Sequence, residues 1–494
     1  MMKNILIKFI LGFSLMAFLG CNDAIDIEQP GRLGAENAFL SIDDLNGGLL
    51  AAYNNLDTTY EIGLTAVLTD ESYRGIQNGG QNLEFLNFNL NSSSSYVGSI
   101  WASNYGAIDM VNRILAAAEN IDREDDPEYY DNILGQAYAI RAYSFFKILT
   151  FFSTDYTDDN ALAGILRTTP TTPDEIFSSV PRNTNAEFYT QIDLDLNAAE
   201  NLINQDLGNK FVNLDFIKAL RARMAAYRGQ YALADGYAAE LLADYPIADQ
   251  NQYMSMFADA DDTEIIFALE RTINDSYDGQ GSAGGGWAGS LFAFSNPNAT
   301  GGPFMEVSRS VFNILDGTND IRLNRNVNLA ESSIDPDYET NNNFLNDDVL
   351  LVFKYPGSES KFLMNDLKVF RSSEMLLIRA EAAADANQLG QVATFIKQLR
   401  DARYGSSQAL PSYANQQEAF GAILDERRLE FLFEGQRWVD LKRLGNKGNR
   451  SIDRDPRECS FFSCSIDNDD FRFTLPIPIS EVIANSEVEQ NPGY

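Results

Sequence analysis

The sequence predicts a mainly α protein of tetratricopeptide-like helical pairs, with an irregular region of loops and short strands inserted between them. Three observations predict it. Long stretches repeat apolar residues at helical spacing, two stretches read as Ala-rich hairpins, and the texture between those hairpins turns to Gly, Asn and Asp.

The chain opens on a basic start, Lys3 and Lys8, around an apolar run from Phe9 to Leu19 that stops at Gly20-Cys21. A run this short behind positive charge reads as a signal peptide and not as a membrane span. A Cys at the cleavage point suggests a lipobox, although Phe18-Leu19-Gly20 departs from the commonest form; an ordinary secretory leader with an incidental Cys is the alternative. Residues 1–20 are then the leader, and Cys21 is the lipid anchor at the head of a polar, acidic tether over 21–40. Several acyl chains on Cys21 suffice for stable anchoring. The globule occupies 41–494.

Within it, Asn132 to Phe152, Glu187 to Ile203, Leu214 to Arg228 and Tyr231 to Leu242 carry dense i, i+3, i+4 apolar pairs. They place a helical scaffold over about 100–244, resuming over 371–444. In the two hairpins, Phe216 to Ala234 and Met375 to Ile396, small Ala side chains let helices approach, and a Gly at each turn ends the first helix. The insertion, about 245–370, holds a strand-like run Glu264 to Glu270, a Gly-rich run Gly279 to Gly286 before Trp287, and a loop from Asp316 to Asn346. Long loops on a rigid frame are where binding residues tend to sit. A C-terminal segment, 445–494, completes the chain.

Charge narrows the function. There are 71 Asp plus Glu against 37 Lys plus Arg, and no His. Such a surface repels phosphate backbones, so no nucleic-acid partner is expected, and it disfavours docking on anionic lipid without an anchor. The lack of His excludes Ser-His-Asp and Cys-His chemistry and His-containing zinc sites, and three Cys cannot form an all-thiolate zinc site. No cofactor is expected. Asp155, Asp158 and Asp159 are a calcium candidate without the EF-hand pattern. Cys459 and Cys464 can form a disulfide in an oxidising compartment, with a pair of free thiols as the alternative.

Asp425 to Arg443 reads as two amphipathic helices jointed near Gly435. Glu426, Glu430 and Glu434 recur every fourth residue beside Arg427, Arg428 and Arg437. Two such carboxylates could serve glycoside hydrolysis, but flanking Arg keeps them ionised, which suits a structural network.

This block, with Glu434-Gly435-Gln436-Arg437-Trp438-Val439-Asp440-Leu441, closely resembles the signature of the SusD/RagB family. So do Leu475-Pro476-Ile477-Pro478 and Gln490-Asn491-Pro492-Gly493-Tyr494, Trp101 and Tyr105 with Asn112, the Arg141-Ala142-Tyr143 helix, and Arg379-Ala380-Glu381-Ala382. The resemblance implies a lipid-anchored, non-enzymatic, surface-exposed protein of the outer membrane. It would capture oligo- or polysaccharide and deliver it to a SusC-like TonB-dependent transporter. A peptide or glycopeptide ligand is the alternative within the class, and a secreted glycoside hydrolase the alternative outside it.

Those signatures are scaffold and carry no binding site. Sugar binding needs aromatic faces with Asn, Asp or Arg nearby. Trp287 leads the candidates, followed by Phe292 and Phe294, with a loop-anchor role as the alternative for the Trp. The polar run Asp70 to Gly80 adds Tyr73, Arg74 and Asn78, and Tyr96 precedes the Trp101 helix. Trp101 and Trp438 lie in helical apolar patterns and are expected in the core.

Overall fold

The computed structural model describes residues 38–172, 175, 178–275, 286–293 and 303–494. The proposed leader, Cys21, most of the tether, the greater part of the Gly-rich run and Phe294 lie outside the described residues.

The described chain is mainly helical. Its long helices are α1 (Ile42–Asn55), α2 (Thr59–Leu68), α3 (Ser95–Ala118), α4 (Pro127–Phe152), α5 (Asn185–Leu202), α6 (Leu214–Tyr227) and α7 (Tyr231–Asp244). After the irregular stretch come α8 (Ser372–Asp385), α9 (Leu389–Tyr404), α10 (Gln416–Glu430) and α11 (Arg437–Gly448). Local chemistry starts them. Asp126 accepts from the Tyr129 amide with Pro127 behind it, Thr184 and Glu187 form a capping box, and Asn213 accepts from the Phe216 amide. Neighbours pack as antiparallel-style pairs, α3 on α4, α4 on α5, α6 on α7 and α8 on α9, and α7 also packs against α8.

The first hairpin turns as the sequence indicates: Gly229 sits at φ 75°, where a Cβ would be strained. The second does not. Asn387, at φ 56°, makes that turn, and Gly390 lies in the first turn of α9 with open space around it. Asn tolerates the left-handed region well enough to take the role.

Among the described residues, four short strands make two antiparallel pairs. β1 (Ser72–Arg74) pairs with β3 (Met305–Val307), Ser72 opposite Val307, and β2 (Ile265–Leu269) pairs with β4 (Leu367–Arg371). The β2–β4 pair closes the two ends of the irregular stretch on each other, and the β1–β3 pair ties its middle to the segment after α2. Trp101 and Trp438 are core residues: Trp101 meets Phe152 edge-on at 4.8 Å, and Trp438 stacks between Phe151 and Phe473, each at 5.9 Å. The C-terminal segment is sewn into the same core, with Asn491 donating to the carbonyls of Phe152 and Leu475 at 2.9 and 2.6 Å and accepting from Arg182 at 2.9 Å.

The carboxylates of α10 form a buried network, but with other partners than their sequence neighbours. Arg371 bonds Glu264, Glu430 and Glu434 at 2.9 to 3.0 Å. Arg403 bonds Glu264 and Glu430, and Arg322 and Arg400 take Glu426. Arg427 pairs instead with Asp440, and Arg428 and Arg437 with Asp70. Burial raises the Glu430 pKa, but the guanidiniums of Arg403 and Arg371 outweigh it and hold this carboxyl well below the usual range. That excludes Glu430 as a general acid. Among the described residues no helix is long and apolar enough to cross a membrane.

Candidate functional site

The β1–β3 pair carries a polar and aromatic face. Arg74 ends β1, and the chain turns at Gly75, where a Cβ would lie 2.1 Å from the Pro303 carbonyl oxygen. Only Gly allows that approach. Beside Arg74 lie Tyr338 and Phe344 from the Asn-rich loop, with Asp348, Glu306 and Glu458 beneath. The enclosed space there is about 10 Å³, no more than one water needs, so the site is a face and not a pouch.

The two rings are fixed by cations. Tyr338 and Phe344 meet edge-to-face at 5.5 Å. Arg309 lies 4.5 Å over Tyr338, and Arg457 lies 4.7 Å over Phe344 and donates to the Glu339 and Asn341 carbonyls. The Tyr338 hydroxyl donates to Asp455 at 2.8 Å. Cys459 and Cys464, joined as a disulfide, hold the segment that carries Arg457 and Phe462, and Phe462 packs on Tyr73 at 6.4 Å. Phe344 is half-buried, with Asn342 and Asn343 exposed next to it. A partly open ring bordered by amides and a guanidinium can take the apolar side of a pyranose and its hydroxyls together.

Beneath the face, Glu306 accepts from the Ile76 and Leu350 amides and Glu458 from the Arg309 amide and Ser308 hydroxyl. Burial pushes both carboxyls up to about 8. Their oxygens brace the chain that builds the face.

Of the residues singled out in the sequence, the structure brings Arg74 to this face, with Tyr73 buried beneath it. The others described go elsewhere. Trp287 is 7% exposed with its indole N–H donating to the Thr272 carbonyl at 3.0 Å, so it anchors its loop and offers no open platform. Phe292 is buried against Phe433 and Tyr355. The Asn78 side chain donates to the Phe304 carbonyl and accepts from the Gly80 amide. Tyr96 lies in the first turn of α3, buried against Phe85 and above Gly63. Asp155 and Asp158 accept from Thr157 and Asn160 and Asp159 pairs with Arg228, so the three carboxylates face separate partners; among the described residues no group of three or more metal-ligating side chains is gathered.

Two family models match the chain. One, described as the SusD family, matches residues 324–494, and one described as starch-binding associating with outer membrane matches residues 40–227. The chain belongs to the SusD family. The SusD-like proteins P2 and P38 of Formosa agariphila are each 24% identical to this SusD family member, over 100% of its length and 100% and 99% of their own. A solved SusD superfamily protein from Bacteroides thetaiotaomicron superposes with TM-score 0.75 at 21% identity, covering 92% of this chain and 100% of that one. A putative sugar binding protein from Bacteroides vulgatus superposes at 0.69 and 22% identity, covering 92% and 99%. These likenesses fix the SusD fold. The family signature residues serve it as scaffold: Asn112, for instance, accepts from Arg141 at 2.8 Å inside the helix bundle.

Tyr338 and Phe344 escaped the sequence reading. The signal available was two aromatics flanking the run Glu339-Thr340-Asn341-Asn342-Asn343, amides set between rings.

Proposed function

We propose that this protein binds oligo- or polysaccharide at the cell surface without chemistry and delivers it to a SusC-like, TonB-dependent transporter of the outer membrane. The observation that carries the reading is the face at Arg74, where the half-buried Phe344 ring is bordered by asparagine amides and a guanidinium. One matching family model is described as starch-binding, and two solved relatives are described as sugar- or carbohydrate-binding proteins. Cys21 supplies the anchor in this reading, holding the globule at the membrane while the acidic surface stays in solvent. The carboxylates favour binding without chemistry. Glu306 and Glu458 have both oxygens occupied by donors of the chain itself, and Glu430 is locked by arginines, so none stands free across an open cleft as a hydrolase pair requires.

Affinity-gel retardation of the protein starting after Cys21, across polysaccharides and a protein digest, tests this. Retardation by a glycan without release of reducing sugar is the expected result. Capture of peptides alone moves the reading to a peptide binder, and steady sugar release overturns the non-enzymatic claim.

A further inference from the structure

A cavity of about 490 Å³ lies on another part of the molecule, between the α4–α5 connection, the α6–α7 turn, α11 and the C-terminal segment. It shares no residue with the face at Arg74, and its size falls in the roughly 300–1,000 Å³ range of ligand pockets.

Its polar groups are incompletely used. Lys442 donates to the Ser153 carbonyl at 2.5 Å and lies 4.6 Å over the Tyr156 ring; Lys447 meets the Tyr231 hydroxyl at 3.2 Å. Among the described residues neither ammonium has a carboxylate within ion-pair distance. Asp155 and Asp469 likewise accept only neutral donors there, from Thr157 and Asn446. Asn468 Oδ1 is buried without a partner, and the Tyr227 hydroxyl bonds to nothing among the described residues. Phe471 stands 43% exposed in a wall that mixes the polar groups named above with the rings of Tyr156, Tyr231 and Phe473.

Charges of both signs thus line the cavity, Lys447 and a Lys442 ammonium that burial pushes down to about 7 against Asp155 and Asp469. A ligand of one charge sign would gain from one pair and lose to the other. A polyhydroxylated neutral ligand suffers no such conflict, because each hydroxyl both donates and accepts. The exposed ring supplies the apolar surface that a pyranose face needs. We infer that this cavity is a second saccharide site, taking a neutral pyranose unit against Phe471 with Asn446, Asn468, Asp469 and Lys447 on its hydroxyls. The inference rests on the glycan-binding reading above. Two sites on separate parts of the globule would hold one polymer at two points, raising retention on long chains beyond that on short ones.

The test is titration calorimetry with maltohexaose, laminarihexaose and xylohexaose on the protein starting after Cys21. Phe471→Ala and Asn446→Ala would be compared with Phe344→Ala and with a variant altered at both sites. Both cavity positions are exposed, so unchanged melting temperatures are expected to accompany them. The expected result is two hexasaccharides per chain, one in each single-site variant, and none in the double variant. A stoichiometry of one that Phe344→Ala abolishes and Phe471→Ala leaves alone overturns the cavity site while the glycan reading stands. No binding of any hexasaccharide, together with peptide capture on gels, overturns both.

Discussion

Asp70 and Glu71 are chain neighbours whose carboxyls are pushed in opposite directions. Both are fully buried. Arg437 grips Asp70 through two bonds of 2.9 and 2.8 Å, whereas neither oxygen of Glu71 has a hydrogen-bond partner of good geometry among the described residues. Burial raises both carboxyls. For Asp70 the guanidiniums of Arg428 and Arg437 outweigh it and hold the group far below the usual range. For Glu71 burial and the Asp70 charge act together and push it up to about 8.

Stability should therefore fall on both sides of mildly acidic pH. Asp70 contributes stability above its ordinary carboxylate pKa, lost as pH drops through its depressed folded value. Glu71 contributes stability that is complete below its ordinary pKa and is lost as pH rises towards about 8. A tenfold change in a carboxyl's proton affinity on folding corresponds to about 1.4 kcal/mol, so the alkaline loss amounts to a few kcal/mol. Urea unfolding between pH 5 and 8 should show that decline in the wild type and a flatter one in Glu71→Gln. An equal slope in both would remove Glu71 as its source.

Arg371 neutralises three buried carboxylates, Glu264, Glu430 and Glu434. Arg371→Met leaves them without that cation and should cost about 3–5 kcal/mol. Arg450→Ala, which breaks the half-exposed pair with Asp425, should cost at most about 1 kcal/mol. Denaturation midpoints compare the two, and similar losses would contradict the role given to the buried network.

Phe344→Ala and Arg74→Ala should weaken glycan retardation by roughly tenfold, about 1.4 kcal/mol, at unchanged melting temperature. Trp287→Ala should do the reverse. Its ring is buried, so truncation removes about 3–5 kcal/mol of stability and leaves the binding of the folded protein intact. Loss of binding at Trp287 alone, without destabilisation, would return the site to the Gly-rich loop.

Reduction of Cys459–Cys464 opens a small loop next to Arg457, which clamps Phe344. The loop-closure contribution is about 2 kcal/mol, local to this segment. Dithiothreitol should thus reduce glycan retention more than it lowers the melting temperature, and Cys459→Ser with Cys464→Ser should reproduce the effect without reductant.

Helical elements were legible because each needs only its own residues. The 3.6-residue period located α4 to α7 within a few positions, and Asn213 and Thr184 mark starts that local chemistry sets. Pairings across the chain were not. Arg427 beside Glu426 and Glu430 looks like their partner, yet the backbone carries Arg371 and Arg403 to Glu430 and turns Arg427 to Asp440. The candidate face at Arg74 failed to show for the same reason. Trp287 has a loop-like setting in sequence, but its indole found a carbonyl to donate to, while nothing local to Phe344 announces that Arg457 will hold its ring half open.

Ser72 pairs with Val307, so the strand pair beneath the face at Arg74 joins two parts of the chain that are synthesised far apart. Such long-range contacts cost loop-closure entropy before they are rewarded and tend to form late. A growing chain can complete α4, α5, α6 and α7 from nearby residues alone, but it cannot assemble Arg74 beside Phe344 until β3 and the loop beyond it have arrived. Competence to hold a ligand then coincides with the end of folding. An unfinished molecule therefore lacks the surface that is proposed to take a sugar.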